Sequence, residues 1–395
     1  MSAAFGNLMF FFLLFAPSFI YVAFSAGSMA AGLTVFIICT LLCKVYQSNS
    51  LSLVGSKNYL SLVLVLCCYL FSLIEFSARS IMSIILFVIL VVAASVFSQL
   101  LDRTKDRALV LSINRTVVIY LVLLYFSIVF NLSVFSYSKY AKAIFPFAEP
   151  SHYAITMAPF YIFYITEKKV KGVIVTILLL IAGLILPSLI LLVLSGLMLS
   201  MVVLKSKYRL ILLVITVTLL FFVIMLTLDK IGYFTERLII ASSSKNLSAL
   251  VYLQGWEESF NALIDTKGVG LGFQNLGKQS PGIIAEKINI LAGKYKNRSD
   301  GGFLAAKLIG EFGIIGLLIV ISVTIRIVIS YFNLVKFRKI KKERSIKYYF
   351  ADSVIVAFGF ELFLRGYGYF TSGVFLFICA VFIIKCQKRI LCQSC

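Results

Sequence analysis

Apolar runs of membrane-span length recur along the whole chain, parted by short hydrophilic breaks that carry many of its cations. Each helical crossing of a bilayer takes about 20 apolar residues, because lipid offers no partner to an exposed backbone N–H or C=O. The composition agrees. Of the 395 residues 61% are hydrophobic and 13% charged, against about a quarter charged in an ordinary soluble domain. A water-soluble dehydrogenase, kinase or nuclease is excluded, for want of polar surface to cover its core. The expected fold class is all-α, a polytopic integral membrane protein.

The pattern predicts about twelve transmembrane helices, near residues 6–23, 28–43, 58–75, 80–101, 109–135, 152–166, 172–186, 189–204, 210–228, 304–333, 348–365 and 371–386. The first run has no cation ahead of it and is too long for a signal-peptide core, so it reads as an uncleaved span. The unbroken run 172–204 has Pro187-Ser188 near its centre and lysines at both ends, which fits a hairpin better than one long helix. The net charge of +21 would point to nucleic acid in a soluble chain. Here the cations segregate instead: alternate short breaks carry 21 Lys and Arg on one side and 4 on the other. By the positive-inside rule the cation-rich side, with both termini, is cytoplasmic.

One connector is long. Residues 229–302 form a large extracytoplasmic loop, a small domain between the transmembrane parts 1–228 and 303–395. Within it Asn246 to Ile264 is expected to be a helix with Tyr252, Trp256 and Phe260 on one face, and Ile283 to Ala292 a second short helix. The aromatic face serves either packing or sugar stacking. Eight cysteines and one histidine, His152, show no zinc-ligand spacing, so no metal or cofactor is expected.

On the outer side ionisable residues stand at span ends: Glu75, Arg79, Glu149, His152, Arg237, Arg298, Asp300, Glu311, Glu361 and Arg365. Their cost near lipid points to an interior cavity. The plainer account is ion pairing four residues apart, Glu75 with Arg79 and Glu361 with Arg365. The string Glu149-Pro150-Ser151-His152-Tyr153-Ala154 opens a span, so Glu149 and His152 are candidates for an acid/base or hydroxyl-orienting pair. The alternate glycines Gly268, Gly270 and Gly272 lack the context of a dinucleotide or P-loop site. They suit either a flexible turn or close backbone approach to an anionic or sugar ligand.

These motifs, with Tyr233-Phe234-Thr235-Glu236-Arg237-Leu238, Glu311-Phe312-Gly313-Ile314-Ile315-Gly316 and Arg365-Gly366-Tyr367, resemble bacterial O-antigen polymerases of the Wzy type. The resemblance extends over nearly the whole chain in span count and loop placement. It implies a metal-independent glycosyltransferase that moves a growing glycan from undecaprenyl diphosphate onto a sugar hydroxyl of a new lipid-linked unit, at the periplasmic face of the inner membrane. Partners would be the lipid-linked oligosaccharide and membrane lipids, with a chain-length regulator as an optional third and no nucleic acid. The resemblance and the chemistry together make Glu149 and His152 the catalytic candidates. Arg237, Arg298 and Arg365 are the diphosphate-binding candidates, and Asp300, Trp256 and the three glycines the remaining substrate contacts. The related O-antigen ligases have a histidine ahead of the E-x-G-x-x-G span. Here Arg298-Ser299-Asp300-Gly301-Gly302-Phe303 has none, which argues against a ligase. A flippase or transporter is the alternative from another class.

Single-cysteine labelling in a cysteine-free background checks the orientation. An impermeant reagent applied to intact spheroplasts is expected to label position 278 and not position 342; the reverse pattern would invert the topology.

Overall fold

The computed structural model describes residues 3–48, 78–131, 135–140, 142–205, 241–242, 244–336 and 345–393. The expected spans 58–75 and 210–228, the residues Glu75 and Arg237, and most of the basic break 336–347 lie outside the described residues. Among the described residues all regular structure is helical, apart from one isolated bridge between Ile144 and Phe147.

In chain order the helices are α1 (Ala3–Ala23), α2 (Ala30–Ser48), α3 (Ala78–Asp102), α4 (Asp106–Phe130), α5 (Pro150–Glu167), α6 (Lys169–Ile185), α7 (Leu189–Lys205), α8 (Leu247–Asp265), α9 (Ile283–Ala292), α10 (Leu304–Val335), α11 (Ile346–Phe363) and α12 (Ser372–Gln393). Short 3₁₀ turns cover Phe135–Lys139 and Arg298–Asp300. Four stretches, Ala4–Ala23, Ala78–Asp102, Asp106–Phe130 and Leu304–Val335, are long and apolar enough to cross a membrane. Ala30–Tyr46, Val170–Ile185, Leu189–Leu204 and Ser372–Lys385 are shorter apolar helices. The chain is thus an all-helical, membrane-associated protein. The expected hairpin is present: α6 ends at Ile185 and α7 starts at Leu189, with the Ser188 amide donating to the Gly183 carbonyl at 2.8 Å.

Helices α5 and α11 form the buried centre. Nearly every residue of both is buried, so neither has the polar face that a surface helix would show. Phe10 of α1 seats the centre, meeting Phe97 of α3 at 5.9 Å, Phe160 of α5 at 5.3 Å and Phe350 of α11 at 5.6 Å, each ring edge to face. A buried polar clasp joins α10 to α11. Asp352 accepts from Arg326 Nη2 at 3.0 Å, Ser330 Oγ at 2.7 Å and Asn333 Nδ2 at 3.2 Å, three residues on one face of α10.

The outer-loop helices form where expected. Asn246 caps α8, its Oδ1 accepting from the amides of Ser248 and Ala249, and Gly293 ends α9 in the left-handed conformation. The span 304–333 departs from the expectation of one continuous crossing. At Gly313 the backbone leaves the helical region (φ 59°, ψ −132°), so α10 is broken. Its first part, Leu304–Phe312, is largely buried, and the exposed apolar stripe starts beyond the break with Ile314, Ile315, Leu318 and Ile321.

The glycine string explains how the break is tolerated. Leu271 donates to the Gly310 carbonyl at 3.0 Å, Gly272 to Glu311 at 2.9 Å, and the Ile314 amide donates to the Gly268 carbonyl at 2.9 Å. Backbone groups released by the break are thereby paired. Gly268, Gly270 and Gly272 have φ of 89°, 90° and 86°. A methyl at Gly270 would lie 2.5 Å from both the Glu311 oxygen and the Gly313 nitrogen. The close backbone approach of the alternate glycines is to α10 itself.

Gly313→Ala is expected to unlock this joint, since its methyl would run into the Gly268 carbonyl. Strained backbone alone costs about 1–3 kcal/mol, which the thermal midpoint of the purified protein in detergent will register. Gly196→Ala, whose methyl meets nothing within 4 Å, is expected to leave that midpoint in place. Equal midpoints for the two variants would refute the locked joint.

Candidate functional site

The site is built around the start of α5 and the loop between α11 and α12. Glu149 occupies the N-cap position of α5 in extended conformation, and Pro150 supplies the first helical residue, which needs no N–H partner. The Glu149 carbonyl accepts from the amides of His152 and Tyr153, but its carboxylate does not cap the helix. It turns outward, accepting from Ser151 Oγ at 3.2 Å and pairing with Arg365 Nη2 at 2.8 Å. The two side chains are 42% and 30% exposed, so this ion pair stands at a solvent-accessible mouth.

Arg365 reaches that mouth because α11 stops at Phe363. The amides of both Leu364 and Arg365 donate to the Phe360 carbonyl, and Gly366 then ties to the Gly302 carbonyl at 2.9 Å. The expected Glu361–Arg365 pair four residues apart is not formed, because Arg365 lies past the helix end. The Glu361 carboxylate accepts from Thr371 Oγ1 at 2.8 Å instead. Arg365 Nε donates to Tyr367 Oη at 3.0 Å. The Tyr367 ring in turn meets the His152 ring edge to face at 4.2 Å.

His152 is 3% exposed, and neither of its ring nitrogens has a hydrogen-bond partner. Glu149 and His152 therefore share a helix start, as expected of the candidate pair, without a hydrogen bond between their side chains. The carboxylate is drawn away by the stronger charge-assisted contact to Arg365.

The same loop runs on into a buried charge cluster. Lys307 Nζ donates to Ser299 O at 2.6 Å, Gln274 Oε1 at 3.1 Å and Asp300 Oδ1 at 3.1 Å, and lies 3.6 Å from Glu311 Oε1. Tyr369 Oη donates to Glu311 Oε2 at 2.8 Å. Gly368 passes between the two groups, where an added methyl would lie 3.1 Å from Asp300 Oδ1. Arg79 at the start of α3 is 3.7 Å from Asp300. Asp300 is thus held by two cations, Lys307 and Arg79.

The structure brings Glu149, His152 and Arg365 together and places Asp300 one loop away. It does not bring Arg298 to the mouth. Arg298 Nε donates to Glu258 Oε1 at 2.5 Å and Nη2 to the Gln279 carbonyl at 2.7 Å, which ties the α8 and α9 segments together. Burial raises the Glu258 carboxyl above its ordinary range, while the hydrogen bond and charge of Arg298 pull it back. Trp256 packs at 4.9 Å on Phe303, which also stacks on Tyr252 at 4.9 Å. The aromatic face packs on Phe303 through Tyr252 and Trp256, while Phe260 at its end stays 49% exposed.

One residue of the site, Lys307, escaped the sequence reading. It stands four residues before Glu311 in an otherwise apolar helix, a legible signal of a buried pair. Tyr367 entered that reading only within the Arg365-Gly366-Tyr367 motif, with no role of its own. Among the described residues no cluster of His, Cys, Asp and Glu could hold a metal ion. Chemically the mouth offers a guanidinium for an anion, a carboxylate and a hydroxyl for a proton or sugar hydroxyl, and an imidazole in reserve. Comparison with protein-family models, curated proteins and solved structures finds no match.

Arg298→Ala is expected to loosen the outer domain without emptying the mouth. Removing one partner of a buried pair costs about 3–5 kcal/mol; limited proteolysis should then cut between residues 244 and 302 far faster than in the unaltered protein. An unchanged cleavage rate would show that the Glu258 tie does not hold the domain.

Proposed function

We propose that the chain is a membrane glycosyltransferase that polymerises undecaprenyl-diphosphate-linked oligosaccharide units, an O-antigen polymerase. The observation that supports it best is the convergence of Glu149, Arg365 and Ser151 at one exposed mouth above an unpartnered His152. In this reading twelve spans place the mouth and the 229–302 domain on the periplasmic face of a bacterial inner membrane, with both termini cytoplasmic.

The reaction forms a bond between an acceptor sugar oxygen and the anomeric carbon of the growing glycan. The bond from that carbon to the diphosphate breaks, and undecaprenyl diphosphate leaves. Negative charge grows on the departing phosphate, and Arg365 meets it with planar paired donors. The acceptor hydroxyl loses its proton to Glu149, the carboxylate at the mouth, while His152 orients that hydroxyl. No metal or nucleotide takes part in this scheme.

One observation favours a second reading. A broken helix with a buried Lys307–Glu311 pair is a feature of transporters that move a substrate past a mid-membrane site, so a lipid-linked oligosaccharide flippase is the alternative.

A lipopolysaccharide gel from a strain lacking the chain separates them. Core carrying a single repeat unit is the expected pattern; bare core would point to a flippase or a ligase and overturn the polymerase. In the complemented strain Arg365→Ala is expected to abolish the ladder at normal membrane levels. Arg365→Lys should rescue it poorly, because lysine keeps the charge without the fork. The loss corresponds to a few kcal/mol of transition-state stabilisation, on the order of a hundredfold in rate.

A further inference from the structure

The most unusual group near the mouth is the chain's single histidine. A buried imidazole normally satisfies at least one nitrogen, since an unpaired buried polar group is costly. Both nitrogens of His152 are unpaired. Its ring neighbours are Tyr367 at 4.2 Å and Tyr21 at 6.4 Å, and Tyr367 is bonded in turn to Arg365, the partner of Glu149. Such a group is poised for a hydrogen-bonding partner that arrives from outside.

The ring packed closest on it is that of Tyr367. Tyr367 stands between Gly366 and Gly368, and Gly368 has φ 78°. The backbone on either side is anchored, by Gly366 to the Gly302 carbonyl and by Tyr369 to Glu311. Movement is therefore left to the side chains of Arg365 and Tyr367, which are coupled by the Arg365 Nε–Tyr367 Oη bond. Among the described residues the one ion pair restraining them is Arg365 with Glu149, and a pair this exposed is weak because water screens it.

We propose that the Glu149–Arg365 ion pair is an anion-operated latch, and that Tyr367 is the lid it holds over His152. A phosphoryl group offers Arg365 two oxygens and more than one negative charge, so it displaces the single carboxylate. Three things follow from one exchange. Arg365 moves onto the anion, Glu149 is released as a free carboxylate beside Ser151, and Tyr367 moves with Arg365 to uncover the imidazole for a hydroxyl of the ligand. The site thereby takes a ligand that carries a phosphoryl anion and a sugar-type hydroxyl together, and its proton acceptor is unmasked only when the anion is in place. This regulation rests on the functional reading above for the identity of the anion, but not for the latch itself.

Because His152 is the only histidine in the chain, its exposure has its own readout. Full-length protein in detergent, carrying a histidine-free affinity tag, is treated with diethyl pyrocarbonate, and the peptide containing position 152 is scored by mass spectrometry. Slow modification is expected for the unliganded protein. Inorganic pyrophosphate should raise the rate at least ~10-fold by populating the open form, and chloride at equal ionic strength should not. Glu149→Gln should be fast without pyrophosphate and indifferent to it, and Tyr367→Ala fast under all conditions. A rate unchanged by pyrophosphate, or protection undiminished in Glu149→Gln, overturns the latch even if the strain makes a normal ladder. Conversely, uncovering by pyrophosphate in a protein that fails the ladder assay upholds the latch and removes the polymerase reading.

Discussion

The break in α10 at Gly313 is the constraint on which the packing of the 268–302 segment and of the loop after α11 depends. A straight helix would carry Lys307 and Glu311 along its axis with no reason to meet Tyr369 or Gln274. Broken at Gly313, its first part turns inward, and the carbonyls of Gly310 and Glu311 are paired by the Leu271 and Gly272 amides. The 268–272 segment is thereby fastened through its backbone to α10, a stiffer joint than side chains alone provide. From that joint Lys307 collects Asp300, Gln274 and Glu311, and Glu311 in turn fixes Tyr369.

That chain of contacts sets the position of the catalytic candidates. The loop after α11 is held at Gly366 by the Gly302 carbonyl and at Tyr369 by Glu311. Arg365 and Tyr367, which flank Gly366, are left to face Glu149 and His152 at the start of α5. Helix α5 is itself packed on almost every side, which gives the mouth a rigid floor. Charges in the protein thus divide into two kinds. Those of Lys307, Glu258 and Asp352 are buried and committed to structure, whereas Glu149 and Arg365 are exposed enough to exchange partners.

Much of the fold was legible in the chain because lipid imposes a simple rule on sequence. Ten of the expected spans coincide with helices α1–α7 and α10–α12 to within a few residues at most ends, the hairpin at Pro187 is present, and both outer-loop helices form. The capping residue Asn246 and the first-turn Pro150 mark their helix starts as local chemistry requires. The candidate site was legible only in part. Glu149, His152 and Arg365 stood out because charge at a span end is costly, and they do converge. Arg298 stood out by the same reasoning, Trp256 by its place on an aromatic helix face and the three glycines by their alternate spacing; the structure shows all of them fastening the 244–302 segment within itself or to α10.

The amino-acid sequence by itself determined which segments are helical and apolar, where each begins, and which polar groups could not be left in lipid. Those properties follow from hydropathy, capping and backbone hydrogen bonding, all of which act within a few residues. Only the tertiary structure decided who meets whom. Whether Arg365 pairs with Glu361 on its own helix or with Glu149 more than two hundred residues earlier depends on where α11 ends and what the next loop is tied to. Whether GxGxG cradles a ligand or seals a helix break depends on an amide of Ile314 and two carbonyls of α10, which no local pattern brings to residues 268–272. Long-range partners are chosen by packing, and packing is a property of the whole chain.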